Sequence, residues 1–239
     1  MIGCECGTCL STDPRDKRWR ASVYVETDDG QGLLVDAGPD IRAQSLAFGV
    51  RRVDAILFTH GHADHILGLD DIRRFNSIHK RPMACYGDVM TLRDIQRTFG
   101  YAFDPATPRG GGLPQLVLFL IAGSFCLGRQ EIVPIPIFHG DRQILAFRVG
   151  TFAYVTDCSR IPDESWPLLE GLDLLVLDAL RETPHPTHFS LAQAVEVATR
   201  IAPRRTCFTH MCHNLPHRET CAKLPSGMEL AYDGLVVEL

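Results

Sequence analysis

The chain has 239 residues, of which 45% are hydrophobic and 22% charged, and its net charge is −5. This balance excludes a disordered chain, a coiled coil and a collagen-like repeat. An acidic chain without a Lys/Arg run does not favour an extended nucleic-acid surface. No stretch approaches the about 18 consecutive apolar residues of a membrane-spanning helix, and no secretory signature opens the sequence. We therefore expect a single cytoplasmic domain over residues 1–239 with no membrane contact.

The apolar runs and their punctuation predict strands that alternate with helices, in stacked layers of sheet and helix. The predicted strands are Ala21–Glu26 and Gly32–Val35 around an Asp-Asp-Gly turn, then Val53–Thr59, Met83–Tyr86, Leu116–Ile121, Glu131–Ile137, Ile144–Val149, Phe152–Thr156, Leu174–Leu177 and Thr206–Thr209. The predicted helices are Ala63–Phe75, Val89–Phe99, Asp163–Leu169, Leu191–Ile201 and Leu215–Lys223. A closing hairpin is predicted over Glu229–Ala231 and Leu235–Glu238, and the Gly- and Pro-rich segment Asp104–Gly112 is a candidate lid or substrate loop.

Six of the apolar runs end in Asp or His, which predicts ligand-type side chains along one edge of a sheet. These residues are Asp36, His60, His139, Asp157, Asp178 and His210. The second run continues into a His-Gly-His-Ala-Asp-His motif, in which Gly61 removes bulk where the backbone turns. Residues i and i+2 of an extended segment point the same way, so His60 and His62 can hold one ion. Imidazole and carboxylate donors suit Zn, Mn or Fe better than Ca or Mg.

This motif after a buried strand resembles the metallo-β-lactamase superfamily, and the resemblance covers nearly the whole chain. It implies a four-layer αββα sandwich of the α/β (α+β) class. It also implies that His60, His62 and His139 hold one divalent ion, that Asp64, His65 and His210 hold a second, and that Asp157 bridges them. The two ions, Zn or Mn, would share a hydroxide that attacks the substrate.

A second cluster, Cys4-Glu5-Cys6-Gly7-Thr8-Cys9, offers three thiolates for a tetrahedral zinc. In a reduced compartment such clusters bind metal more often than they form disulfides. Cys212 and His213 are the candidates for the fourth ligand. The cluster resembles the phosphoribosyl 1,2-cyclic phosphate phosphodiesterase branch of the superfamily, which implies a structural zinc with His213 as fourth ligand and Cys212 in reserve.

The same resemblance implies a proton donor for the leaving oxygen at His188, with His185 as the alternative. An imidazole suits this role because its pKa lies near neutral pH. A cap on the helix near Ser190 is the competing interpretation for Thr187 and His188. Asp36 and Asp178 are expected to orient ligand imidazoles. Possible phosphate contacts are Arg73, Arg74, Lys80 and Arg142, whereas His79 and His217 are taken as surface residues.

The leading hypothesis is a metal-dependent phosphodiesterase acting on a small cyclic substrate such as phosphoribosyl 1,2-cyclic phosphate, with Asp64 and His188 essential for catalysis. Alternatives within the superfamily are a thioester or lactone hydrolase and an RNA-processing nuclease. An alternative of another class is a non-catalytic metal-binding accessory protein of cofactor biosynthesis. Members of the branch usually begin with a strand that is not seen before Cys4, either because the start of the sequence is placed too late or because the chain is shortened. If the strand is genuinely missing, we expect an exposed sheet edge that would favour a homodimer.

Overall fold

The computed structural model describes residues 1–108, 110 and 112–239. They form two compact units, Met1–Trp19 with Ile132–Leu239 (unit I) and Arg20–Glu131 (unit II). The α-helices α1 to α8 span Gly7–Leu10, Ile41–Phe48, Ala63–Ile66, Arg73–His79, Val89–Thr98, Gly100–Phe103, Leu191–Ile201 and His217–Cys221. The strands β1 to β12 span Val23–Glu26, Gly32–Val35, Ala55–Leu57, Met83–Gly87, Leu116–Leu120, Phe125–Leu127, Gln130–His139, Arg142–Val149, Phe152–Val155, Leu174–Asp178, Arg205–Thr209 and Met228–Leu230. The single domain over residues 1–239 stays a prediction.

Unit II contains a five-stranded sheet in the order β1-β2-β3-β4-β5. The first two strands form the predicted antiparallel hairpin, and the next three are parallel to β2. Each parallel step requires a crossover connection, which helices of this unit supply. All four residues of β2 and all three of β3 are buried, and the core includes Ile56, Phe58 and Leu69. The loop after β3 therefore starts from a strand that is fixed on both faces.

Unit I contains strands in the order β12-β11-β10-β9-β8-β7. Strands β9 to β12 are parallel, while β8 is antiparallel to both β7 and β9. Strands β7, β9, β10 and β11 consequently run in the same direction. Their carboxyl ends meet at one edge of the sheet, above a core that includes Ile137, Val155, Leu177 and Phe208. This edge is where His139, Asp157, Asp178 and His210 follow or end their strands.

The helix predicted over Ala63–Phe75 is divided into α3, a 3-10 helix at Leu67–Asp70, and α4. The division has a local cause. The Gly68 N–H donates to the Ala37 carbonyl at 2.9 Å, and the Ala37 N–H donates to the His65 carbonyl at 2.8 Å. These bonds to another loop replace the regular ladder of a continuous helix.

Other predicted elements also differ from the observed secondary structure. Residues Asp163–Leu169 form a 3-10 helix, because Pro167 lies inside it and supplies no N–H. The prediction of a closing hairpin is wrong, because β12 pairs with β11 in parallel and residues 235–238 form no strand. Helix α2 was not predicted, since Leu46 and Phe48 are exposed and blur its apolar stripe. Helices α1 and α6 and strand β6, which span only three or four residues each, were also missed.

The assignment of His217 to the surface is wrong. Its side chain is buried, and its Nε2 lies 3.1 Å from the Leu230 carbonyl oxygen, to which it donates. Burial lowers the pKa of His217, which favours the neutral imidazole. His217 thus joins α8 to the end of β12 as part of the structure.

The candidate lid Asp104–Gly112 includes Arg109 and Gly111, which lie outside the described residues, so its role stays a prediction. Within the ranges that the structure describes, no helix has the length and apolar character needed to cross a membrane. The expected cytoplasmic location and homodimer likewise stay predictions.

Candidate metal and catalytic site

The His-rich motif of unit II lies in the loop after β3 and in the first turn of α3. The His60 ring is fully buried, and its centroid lies 4.4 Å from that of His62 and 4.3 Å from that of His65. An Oδ2 of Asp64 lies 3.8 Å from Nε2 of His65. The structure therefore brings the four motif side chains together within this unit.

A buried carboxylate and a hydroxyl fix the orientation of two of these imidazoles. Asp36 Oδ2 accepts hydrogen bonds from His65 Nδ1 at 2.7 Å and from Thr59 Oγ1 at 2.8 Å, while its Oδ1 accepts from the Thr59 N–H at 2.9 Å. Because the Thr59 hydroxyl proton is given to Asp36, Thr59 accepts from His60 Nδ1, 3.0 Å away. Both rings therefore carry the proton on Nδ1 and present a lone pair on Nε2, the form that binds a metal ion.

Asp36 was expected to orient a ligand imidazole, and its contact with His65 agrees with that expectation. Thr59 was not singled out, although it is a buried polar residue between an apolar run and His60. Its position next to a predicted ligand was the signal in the sequence that could have identified it. Asp36 has a φ of 62°, so its chain turns sharply at the end of β2.

At the strand edge of unit I, His139 and Asp157 lie at the ends of neighbouring chain segments. His139 Nδ1 donates to the Thr187 carbonyl at 2.9 Å, which leaves its Nε2 as the lone-pair nitrogen. Asp157 is buried, has a φ of 54°, and accepts from Thr156 Oγ1 at 2.8 Å. Its Oδ1 also lies 3.3 Å from His210 Nε2.

His188 is buried between two other imidazoles at this edge. Its ring centroid lies 4.7 Å from that of His139 and 4.9 Å from that of His210, and it stacks on the latter at 13°. His188 Nδ1 lies 3.2 Å from both carboxylate oxygens of Asp178. Ligand-type atoms of Asp157, His188 and His210 all lie within 4.8 Å of one another.

The surroundings of His188 bear on its two interpretations, as a proton donor and as a helix cap. Ser190, not Thr187 or His188, caps α7, through a reciprocal capping box with Gln193. The fully buried Asp178 also accepts from the Phe189 N–H at 3.1 Å. Burial raises the pKa of Asp178, while the hydrogen bond from His188 opposes that rise. His185, the alternative acid, lies with its ring 5.2 Å from that of His188.

The cysteine cluster lies in unit I, where α1 begins directly after Cys6. The Sγ atoms of Cys4, Cys6 and Cys9 lie 3.3, 3.3 and 3.7 Å from Nδ1 of His213. The backbone N–H of Cys9 and then the His213 ring lower the pKa of the Cys6 thiol to about 6. Cys212 Sγ instead contacts Asn214 Oδ1 at 2.9 Å. Among the candidate fourth ligands, His213 is thus the one that joins the three thiols.

The donor chemistry of these groups fits the metals that the sequence predicts. Three thiols with one imidazole match a tetrahedral structural zinc. The His and Asp sets combine imidazole nitrogen with carboxylate oxygen, which suits Zn or Mn. The phosphate-contact candidates gain less support, since Arg73 pairs with Asp70 and Lys80 is exposed at the end of α4.

Comparison with known proteins identifies the family. The model of the β-lactamase superfamily domain matches residues 32–211. A crystal structure of a diphosphatase from the PhnP family is similar, with 43% identity and a TM-score of 0.91 over 98% of this chain and 89% of the other. A coenzyme PQQ synthesis protein B of Xanthomonas euvesicatoria is 38% identical, over 95% of this chain and 90% of its own.

An octanoyltransferase of Porphyromonas gingivalis is 34% identical over 98% of this chain. This chain spans 48% of the length of that protein. The match to the PhnP-family structure confirms the predicted fold class, a mixed α/β fold with two sheets of the metallo-β-lactamase type. The chain belongs to the metallo-β-lactamase superfamily and is similar in structure to a PhnP-family diphosphatase, as its motifs predicted.

Proposed function

We propose that the chain is a metal-dependent phosphodiesterase that hydrolyses a small cyclic phosphodiester such as phosphoribosyl 1,2-cyclic phosphate. The observation that carries this proposal is the His188–Asp178 pair, buried beside His139 and His210. A ring held in this way can donate a proton to a leaving oxygen. Membership of a hydrolase superfamily and similarity to a protein named a diphosphatase support chemistry at phosphorus.

We further propose the ligand assignment that the family implies. His60, His62 and His139 would hold one divalent ion, Asp64, His65 and His210 the other, and Asp157 both. The Nδ1 hydrogen bonds of His60, His65 and His139 support this assignment, because each leaves Nε2 unprotonated. When bound, two such ions polarise phosphoryl oxygens and lower the pKa of water.

The proposed role of His188 follows from its own contacts. Its Nδ1–H is held by the Asp178 carboxylate, so Nε2 is the atom that gains and loses a proton. The carboxylate stabilises the imidazolium before the transfer, in the way that a buried Asp supports a catalytic His. Donation from Nε2 neutralises the departing alkoxide and returns the ring to its neutral form.

Two other functions have a specific observation behind them. Hydrolysis of a diphosphate bond is favoured by the name of the similar PhnP-family structure. A non-catalytic role in cofactor biosynthesis is favoured by the relative from Xanthomonas euvesicatoria. The presence of His188, Asp178 and all seven family ligands in this chain weighs toward an enzyme.

The test loads the metal-free protein with Zn or Mn and measures turnover of four substrates. These are bis-p-nitrophenyl phosphate, phosphoribosyl 1,2-cyclic phosphate, a dinucleoside diphosphate and an acyl thioester. We expect the cyclic phosphodiester to have the highest kcat/KM. A dominant rate on the dinucleoside diphosphate would replace the phosphodiesterase with a diphosphatase, and metal binding without turnover of any substrate would favour the accessory role.

A matched pair of variants links any turnover to the proposed residues. Asp157→Asn removes a proposed ligand, whereas Asp141→Asn changes an exposed carboxylate in the turn after β7. Activity that is lost in the first variant and kept in the second ties hydrolysis to the strand edge. Equal activity in both would reject the assignment of Asp157.

A further inference from the structure

The backbone at His210 takes a conformation that needs external support. His210 follows β11 and has a φ of 59°, in the left-handed backbone region that residues other than Gly rarely adopt. Such a residue keeps this conformation only where its surroundings determine it. The loop 210–216 that follows carries His213 as well, so the contacts of this loop decide where the His210 imidazole lies.

One arginine from the N-terminal arm, defined as Cys4–Trp19, binds this loop at two points. Arg18 Nη1 donates to the Cys212 carbonyl oxygen at 2.6 Å, and Nη2 donates to the Leu215 carbonyl oxygen. The side chain is only 13% exposed. The nearby carboxylate of Asp16, 3.6 Å away, compensates the charge of the buried guanidinium.

Further bonds hold the same segment from other directions. The Cys212 N–H donates to the Leu180 carbonyl at 2.8 Å, close to the end of β10 and two residues after Asp178. Asp16 accepts from the His217 N–H at 2.8 Å, at the start of α8. Cys212 is therefore fixed through both its N–H and its carbonyl, two residues after His210.

We propose that Arg18 is a positioning residue for His210, acting through the carbonyls of Cys212 and Leu215. An arginine suits this role because its planar fork binds two acceptors at fixed separation, which a lysine ammonium does not reproduce. The contact is independent of the cysteine cluster, since the guanidinium binds backbone oxygens and not thiols. The inference rests on the proposed function only in taking His210 as a metal ligand.

Cobalt(II) titration of the metal-free full chain tests this role, because the two kinds of site have different spectra. Thiolate-to-cobalt charge transfer reports the cysteine cluster alone. The cluster also has d–d bands, so the His and Asp sites are read from the d–d absorbance that rises without a rise in charge transfer. For Arg18→Ala we expect the cobalt affinity of the His and Asp sites to fall about tenfold or more. This is the range seen when a group that orients a metal ligand is removed. The charge-transfer band should be kept, and amide exchange in loop 210–216 should accelerate.

Arg15→Ala is the matched control, since Arg15 lies in the same arm and its side chain pairs with Asp13, two residues away. It should behave as the wild type. Arg18→Lys should keep the fold and still lose cobalt affinity, because it cannot bind both carbonyls.

Wild-type cobalt affinity and loop exchange in folded Arg18→Ala or Arg18→Lys would overturn the proposal. Loss of folding in both variants would overturn it as well, by assigning Arg18 to the stability of unit I as a whole. Metal affinity is measured without substrate, so a wild-type protein that fails to hydrolyse phosphodiesters would reject the proposed function and leave this test intact.

Discussion

Asp178 accepts a hydrogen bond from Nδ1–H of His188, and both of its carboxylate oxygens lie 3.2 Å from that nitrogen. Both residues are buried, and Asp178 is completely removed from solvent. The carboxylate ends a central strand, β10, whose neighbours on both sides are parallel. The position of the His188 ring is therefore tied to a buried central strand of unit I.

Replacing Asp178 with Asn should lower kcat much more than it changes KM. The amide can still accept from Nδ1, but it cannot stabilise the positively charged ring that delivers the proton. We expect kcat to fall by about 10²-fold, within the range for general acid catalysis. Steady-state kinetics on bis-p-nitrophenyl phosphate measures this effect.

Asp173→Asn is the matched control for that substitution. Asp173 precedes β10 and forms a partly exposed pair with Arg204, so its loss should leave kcat unchanged. An unchanged kcat in Asp178→Asn would mean that the buried carboxylate has no part in proton transfer.

Replacing Asp36 with Asn should weaken metal binding in unit II. The buried carboxylate accepts from Thr59 twice and from His65 once, and an amide can satisfy fewer donors at its nitrogen end. We expect zinc affinity to fall about 10- to 100-fold, the usual effect of removing a carboxylate that orients a ligand imidazole. Competition with a chromogenic chelator measures the affinity.

Asp29→Asn provides the comparison for Asp36, because Asp29 lies in the β1–β2 turn and binds Thr27 and the Arg129 N–H. Its zinc affinity should match the wild type. If both variants keep wild-type affinity, the bond from Asp36 to His65 does not tune the metal ligand.

Replacing Gly38 with Ala should destabilise the packing of its loop against α3, the helix that carries Asp64. A Cβ at this position would lie 2.2 Å from the Asp64 carbonyl oxygen, and a backbone atom has little freedom to move away. We expect a loss of about 1–3 kcal/mol in the free energy of unfolding, as for other overpacked sites. Urea unfolding measures it, with Gly100→Ala as control because a Cβ there meets nothing within 4 Å. Equal stabilities would show that the loop absorbs the added methyl group.

The sequence predicted the side chains of the site better than the path of the backbone around them. Strands that end in Asp or His could be recognised because apolar runs are visible in one dimension, and β2 and α7 were predicted with their observed bounds. The division of Ala63–Phe75 could not be foreseen, because it depends on bonds between Ala37 and the residues His65 and Gly68. Those contacts join segments about thirty residues apart.

The same limit applies to three single side chains. Thr59 and Arg18 match no motif, and their roles follow from hydrogen bonds to partners that only the fold brings near. His217 was placed at the surface because no pattern involved it, whereas its acceptor, the Leu230 carbonyl, belongs to a strand predicted with the wrong pairing. Errors in topology thus become errors in the assignment of single side chains.

Replacing Cys6 with Ser should remove one zinc per chain and lower stability. The Sγ of Cys6 lies 3.3 Å from His213 Nδ1, and its depressed pKa of about 6 means that the thiolate, the form that binds metal, is already favoured at neutral pH. A serine hydroxyl stays protonated and is a poor zinc ligand. Elemental analysis of protein purified with zinc should show one ion fewer than the wild type, and thermal unfolding should give a lower Tm.

Cys126→Ser is the control for this change, because Cys126 is an exposed thiol on β6, outside the cysteine cluster. It should keep the wild-type zinc content and Tm. The zinc that remains in Cys6→Ser should be that of the His and Asp sites, to which the cysteine cluster contributes no ligand. An unchanged zinc content in Cys6→Ser would mean that the three thiols and His213 lie together without binding a metal ion.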